Sequence, residues 1–399
     1  MIMNSKKIKD IITPDEYADI KPIDDKDFNA NMKTLVDEPL FEHAVKYVLP
    51  DIDMAQFKAE LLSITNKDDF HRKIMAPFLL MLEQKTTKGI TSSGTEYLDA
   101  SKSYTFISNH RDIVLDASFL NLSLLKNGLF TTEVAIGSNL LIHSWIETLV
   151  KLNKSFIVKR NVGFREALEA AIQLSGYIHF TIKEKHESIW IAQREGRAKD
   201  SNDLTQESLI KMLSLAGEGD VLAHLTEINL CPVSLSYEYD PNDYLKAKEY
   251  LLKQKDPQYR KSERDDLFSM ETGILHNKGR VHIAIAKPLN ETLLNADIDR
   301  TNKVDVLNYV RQAIDRSIHL NYKFYPCNYI AYDMLHSSNK FADKYTDEEY
   351  KGFETYLCNQ LKKVDLENIS AEDNAYMHKM ILLMYSNPLH NYLDALSKE

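Results

Sequence analysis

The stretch FISNHRDIVLDASFL, from Phe106 to Leu120, passes from a short β-rich run through the polar loop Ser108-Asn109-His110-Arg111-Asp112 into apolar residues at helical spacing. A strand that hands over to a helix in this way is the unit from which α/β sheets are built, and such sheets gather ligands at the carboxyl ends of their strands. His110 stands at that junction, where its ring can meet a substrate. An imidazole, with an unperturbed pKa of about 6.5, is the usual group for taking a proton from a hydroxyl at neutral pH, and a carboxylate behind it fixes the tautomer.

Asp112 and Asp116 are the two candidates for that carboxylate. Asp112 directly precedes Ile113, Val114 and Leu115 and is placed to cap the helix through its side chain. Asp116 lies one turn inside, on an otherwise apolar and small stretch, where an unpaired buried carboxylate is costly and a pairing with the imidazole accounts for it. The reading is His110 as general base with Asp116 as its partner. His110-Arg111-Asp112 also resembles the opening of a protein-kinase catalytic loop. Where that loop carries asparagine this chain has Ala117, and no Gly-rich phosphate loop precedes it.

The alternation continues outward. β-rich runs recur as SYTFIS from Ser103, KSFIVK from Lys154, SIWIAQ from Ser188, INLCPVSLSYEY from Ile228 and RVHIAIA from Arg280. Helical spacing occupies 113–125, 139–152, 165–177 and 204–215 between them, and the charged segment 240–278 reads as an excursion of helix and loop. The expected organisation is a helical extension over 1–85, an α/β domain over 86–290 and a helical region over 291–399. The aromatic run YKFYPCNYIAYDML from Tyr322 reads as a packing surface.

A net charge of −10 on 399 residues argues against bulk nucleic-acid binding. Cys231, Cys327 and Cys358 are too few and too scattered for a disulfide framework or a metal knuckle, which points to a reducing compartment. No window approaches the roughly 20 apolar residues of a membrane span, and the start carries no secretory signal. The expectation is a cytoplasmic protein without a resident metal. Against the acidic balance, Lys151 to Arg165 holds five basic residues and no acidic one, a local reversal able to hold a phosphate or an anionic headgroup.

Two further junctions concentrate charge. SFIVKRNVGFREAL places Lys159 and Arg160 at the end of a strand and before a helix, where side-chain charge and backbone donors can combine on a phosphate. IWIAQREGRAKD runs a strand into Arg194, Glu195, Gly196, Arg197 and Lys199, the glycine allowing a tight turn among charges. A fourth run, INLCPVSLSYEY, carries Pro232 near the start of an apolar strand, where proline is tolerated.

In this order, Asn109-His110 with Asp116, Ile157-Val158-Lys159-Arg160, Glu195-Gly196-Arg197 and Cys231-Pro232-Val233 resemble the four successive blocks of the glycerol-phosphate and lysophosphatidate acyltransferase superfamily, over about residues 100 to 290. The resemblance implies a mixed central sheet flanked by helices. It also implies His110 as base, Arg160 and Arg197 on an acceptor phosphate with Lys159 beside them, Glu195 and Gly196 in support, and Pro232 shaping the pocket. Acyl-CoA or acyl carrier protein would be the donor, no cofactor would be needed, and the chain would act at the inner face of the cytoplasmic membrane. The chain departs from the family pattern in having five residues, Arg111 to Leu115, between His110 and Asp116 where the family has four, and in placing Arg197 directly after Gly196. A thioesterase or lipid hydrolase, an N-acyltransferase making an amino-acid lipid, and a noncatalytic lipid-binding protein remain open as alternatives.

Overall fold

The computed structural model describes residues 11–216 and 219–397. Its centre is a seven-stranded mixed sheet: β1 (Ile90–Ser93), β2 (Thr105–Ser108), β3 (Glu133–Gly137), β4 (Ser155–Val158), β5 (Ile189–Ala192), β6 (Leu230–Tyr237) and β7 (Val281–Ile285), in the order β1-β7-β6-β2-β5-β3-β4. Every neighbouring pair is parallel except β6 with β7. The chain is thus α/β, with a mixed sheet and flanking helices.

The sheet is buried on both faces, as a parallel sheet with helical crossovers must be. Successive residues of β2 show it. Phe106 enters one core with Leu79, Leu115 and Phe119, while Ile107 enters the other with Tyr177, Ile178, Leu225 and Ile314. Helices Ala76–Thr86 and Leu115–Lys126 supply the first core, and Phe164–Lys183 and Lys303–Leu320 the second.

Two strands escape the sequence pattern. β1 reads Ile-Thr-Ser-Ser, is largely exposed and pairs only with β7, so it has no apolar run to betray it. β3 opens with Glu133, whose buried carboxylate accepts from the Tyr177 hydroxyl at 2.6 Å and pairs with Lys185. The helix expected over 139–152 begins only at Ser144, because Ser138–Leu140 forms a 3-10 turn.

The ends pack as two further helical cores. Helices Asp25–Val36, Pro39–Val48 and Met54–Ser63 bury Phe28, Met32, Phe41 and Leu61 with Phe70 and Leu152. Helices Pro326–His336, Asp347–Leu361 and Ala371–Ser397 bury Ile330, Phe353, Leu357 and Ile381 with Tyr244 and Leu251 of Asp243–Lys255. The segment 240–278 holds two helices, Asp243–Lys255 and Glu263–Leu275.

Candidate active site

Because β6, β2, β5, β3 and β4 all run the same way, the segments that follow them emerge at one edge of the sheet. That edge collects His110 after β2, Arg160 after β4 and Arg194 to Arg197 after β5.

β2 ends at Ser108, and the next residue prolongs its ladder with a side chain. The buried Asn109 amide donates from Nδ2 to the Leu235 carbonyl at 3.0 Å and accepts at Oδ1 from the Leu235 N–H at 2.8 Å. His110 is thereby held at a fixed height above the sheet. Its Nδ1 lies 2.8 Å from Asp116 Oδ2, its ring stands edge-on to Trp190 with centroids 5.8 Å apart, and its side chain is 12% exposed. Nε2 makes no hydrogen bond among the described residues, and His110 lines a large cleft.

Asp116 is fully buried and heavily solvated by the protein. Oδ2 accepts from the backbone N–H of Arg111 at 2.6 Å and of Asp112 at 3.1 Å as well as from His110, and Oδ1 accepts from the Tyr237 hydroxyl at 2.9 Å. These bonds make the carboxylate an acceptor, so Nδ1 of His110 is the donor to it, and in the neutral ring the lone pair is then on Nε2. Asp112 is occupied otherwise: its Oδ1 accepts from the N–H of Val114 at 2.9 Å and of Leu115 at 2.8 Å, holding the start of helix Leu115–Lys126. Burial, and then repulsion from Asp116, pushes the Asp112 carboxyl above the usual range. Its Oδ2 has no partner among the described residues and lies so close to Gly273 that a β-carbon there would stand 2.0 Å from it.

Arg111 turns away from the cleft and anchors the loop. Its guanidinium forms two bonds to Asp203, of 2.7 and 2.5 Å, and Asp203 also accepts from the Tyr322 hydroxyl. Lys246 adds a bond to the Arg111 carbonyl at 3.2 Å. The aromatic run from Tyr322 therefore braces the His110 loop from behind.

The basic residues divide by whether they are already paired. Arg160 meets Glu195 at 3.0 Å, and Lys159 meets Asp19 at 2.6 Å. Arg194 and Arg197 line the same cleft, form no ion pair among the described residues, and each holds a buried guanidinium nitrogen without a partner. Gly196 between them has φ +66° with open space around it, so the left-handed backbone and not crowding calls for glycine. Lys199 is paired with Glu249.

Pro232 lies apart from this group. It is buried in β6 opposite Ile107 of β2, and its carbonyl accepts from the Ala286 N–H at 2.9 Å where β7 ends. The Ala286 carbonyl, which a proline cannot serve, accepts from the Cys231 thiol at 3.4 Å. Pro232 is not among the residues that line the cleft.

The cleft has a volume of about 1420 Å³. Beyond His110 its walls are mostly apolar, with Phe41, Leu61 and Phe70 from the N-terminal region lining it together with Ala117, Leu149 and Leu174. The N-terminal helices therefore build part of the cleft, which their sequence gave no sign of. Arg194, in the charged turn around Gly196, also lines the cleft, and Tyr237 reaches Asp116 from 121 residues further along the chain, a contact that no local spacing expresses. Among the described residues no group of three or more His, Cys, Asp or Glu is disposed to hold a metal, and no helix is long and apolar enough to cross a membrane.

No family model matches the sequence, and no curated protein matches it significantly. Among solved structures, a 1-acyl-sn-glycerophosphate (LPA) acyltransferase from Thermotoga maritima aligns over 73% of this chain and 97% of its own, at 12% identity and a TM-score of 0.34.

Proposed function

We propose that the chain is an acyltransferase that moves a fatty acyl group from a thioester, acyl-CoA or acyl carrier protein, to the hydroxyl of glycerol 3-phosphate or a lysophosphatidate. The observation that carries this reading is the His110–Asp116 pair at 2.8 Å, opening onto a cleft lined mostly by apolar side chains together with Arg194 and Arg197, which form no ion pair among the described residues. An apolar cleft suits an acyl chain, unpaired guanidinium groups suit a phosphate, and a base in the same cleft suits proton removal from a hydroxyl.

In this reading Nε2 of His110 takes the proton of the acceptor hydroxyl as its oxygen attacks the thioester carbonyl. The tetrahedral adduct then breaks its C–S bond, and the proton passes from the imidazolium to the departing thiolate. Ester and free thiol result, with every atom supplied by the two substrates. The thioester is already activated, so no acyl-enzyme is required. The chain would work at a membrane face. Phe164, Leu168 and Ile172, which are 98%, 58% and 50% exposed, form one stripe of helix Phe164–Lys183 and adjoin Ala167 and Ala171, which line the cleft. Such an apolar continuation from cleft to surface suits entry of a lipid.

The test is transfer of labelled acyl groups by the purified chain, with glycerol 3-phosphate or lysophosphatidate as acceptor and acyl-CoA or acyl carrier protein as donor. Acceptor-dependent ester formation supports the reading. Release of free fatty acid at the same rate with and without acceptor replaces it with a thioesterase.

A further inference from the structure

We infer that Tyr237 is a positioning residue for the His110–Asp116 pair: its hydroxyl holds the Asp116 carboxylate in the orientation that fixes the proton of His110 on Nδ1. The inference rests on the reading of His110 as the base of acyl transfer.

The Asp116 carboxylate takes its bonds from two sources. Oδ2 is served by the loop itself, through His110, Arg111 and Asp112. Oδ1 is served by the Tyr237 hydroxyl, at 2.9 Å, from a strand 121 residues further on. Asp116 is 0% exposed, so bulk solvent does not reach the carboxylate to stand in for that donor. Without it, one oxygen of a buried carboxylate would lack this partner, and its remaining donors would all lie on the His110 side. The carboxylate could then turn about its Cβ–Cγ bond and weaken the bond to Nδ1.

The sheet is built to bring this hydroxyl there. β2 stops at Ser108, opposite Val233, whereas β6 continues to Tyr237 because the antiparallel β7 pairs Val281 with it. β6 is thus carried past the end of its parallel neighbour and over the His110 loop. With side chains alternating along the strand, Val233, Leu235 and Tyr237 share one face and enter the core beneath helix Leu115–Lys126. The Tyr237 ring stands edge-on to Phe119 at 6.3 Å, which sets its direction. Burial, together with Asp116 and Asp112 nearby, keeps the phenol protonated far beyond neutral pH, so it remains a donor wherever the base works.

Tyr237→Phe removes the hydroxyl and keeps the ring. The nitrogen-15 spectrum of the His110 ring, assigned by its loss in His110→Ala, distinguishes a proton on Nδ1 from a mixture of tautomers without reference to activity. The expected result is a Nδ1–H signature in the parent chain and a mixture in Tyr237→Phe, with kcat about 10-fold lower and each KM within about twofold, the scale of one lost hydrogen bond to a charged group. Phe119→Leu is the control. It loosens the same place while leaving the hydroxyl, and should lower the melting temperature without changing the nitrogen signature. An unchanged signature and unchanged kcat in Tyr237→Phe overturn the inference, and a lowered melting temperature with both unchanged reduces Tyr237 to a structural residue. If neither protein transfers acyl groups, the acyl-transfer reading fails by itself, and the nitrogen signature still decides the role of Tyr237.

Discussion

Arg160 Nη1 lies 3.0 Å from the Glu195 carboxylate, joining the loop after β4 to the turn after β5. The pair is partly exposed and contributes little to stability, but it occupies one guanidinium, while Arg194 and Arg197 form no ion pair among the described residues and each keep one buried guanidinium nitrogen without a partner. The unpaired arginines should therefore matter more to an anionic acceptor. Arg197→Ala is expected to raise KM for glycerol 3-phosphate about 10-fold or more with a smaller change in kcat, and Arg160→Ala to raise it less. Steady-state kinetics with varied acceptor decide this, and a larger effect at Arg160 would reverse the order.

The two aspartates of the loop should separate stability from turnover. Asp116→Asn places an amide where four donors converge and is expected to lower kcat by about 10²-fold or more with little change in melting temperature. Asp112→Ala removes the oxygen that holds Val114 and Leu115 and should cost about 1 kcal/mol, the usual value of a lost cap, with activity largely kept. Thermal melts and initial rates on both variants test the division. Loss of activity on removing Asp112, with Asp116→Asn silent, would defeat it.

Asp243 supplies a pH dependence unrelated to turnover. It is buried at the start of helix Asp243–Lys255, where it accepts from the Tyr356 hydroxyl at 2.6 Å, the Tyr385 hydroxyl at 2.9 Å and Gln360 Nε2 at 2.5 Å. Burial, with Asp240 nearby, still raises its carboxyl to about 6. As pH rises, the unfolded chain loses this proton first, near pH 4, so the contribution of Asp243 to stability falls between about pH 4 and 6 and is level above. Asp243→Asn should abolish that fall, leaving the variant ahead of the parent by up to about 3 kcal/mol at pH 7 if the amide keeps the bonds. Urea unfolding at intervals from pH 4 to 8 measures it, and a difference that does not grow between pH 4 and 6 rules it out.

Membrane contact, if it follows the exposed stripe, should be apolar and not electrostatic. Of the five basic residues in Lys151 to Arg165, Lys151 pairs with Glu147, Lys154 with Asp68, Lys159 with Asp19 and Arg160 with Glu195, leaving little for anionic headgroups. Replacing Phe164 and Leu168 together by serine should weaken binding to phosphatidylcholine vesicles at least about 10-fold, since each side chain buries apolar area on contact. Flotation with neutral and anionic vesicles tests this. Binding that needs anionic lipid and is released by salt would assign it to charge.

The parts of the fold that could be read from the sequence are those governed by local pattern. β2, β4, β5, β6 and β7 show as apolar runs because both faces of each are covered, whereas β1 is a polar edge strand and β3 hides behind the buried ion pair of Glu133 and Lys185. Within the site, the contrast between an aspartate just before the helix, whose side chain holds the first N–H groups, and one in the first turn, on an apolar stretch, is also local, and it distinguishes Asp112 from Asp116. The hydroxyl of Tyr237, the spare charge of Arg194 and Arg197 and the wall supplied by the N-terminal helices depend on contacts across a hundred residues or more, or on which cations are already paired. No spacing in the sequence expresses these. Four of the five basic residues between Lys151 and Arg165 looked available as sequence and are engaged in the structure.

The Asn109 amide fixes the chain just before His110, and the N–H groups of Arg111 and Asp112 tie the next residues to the Asp116 carboxylate. The separation of imidazole and acid is therefore set by hydrogen bonds at both ends and not by a tally of residues between them. A residue gained or lost where the loop meets the helix can be absorbed there while the two side chains stay together. A search pattern that demands a fixed count between histidine and aspartate would pass over chains of this kind, whereas one asking for asparagine at a strand end, histidine next, and an acid in the first turn of the following helix would retrieve them.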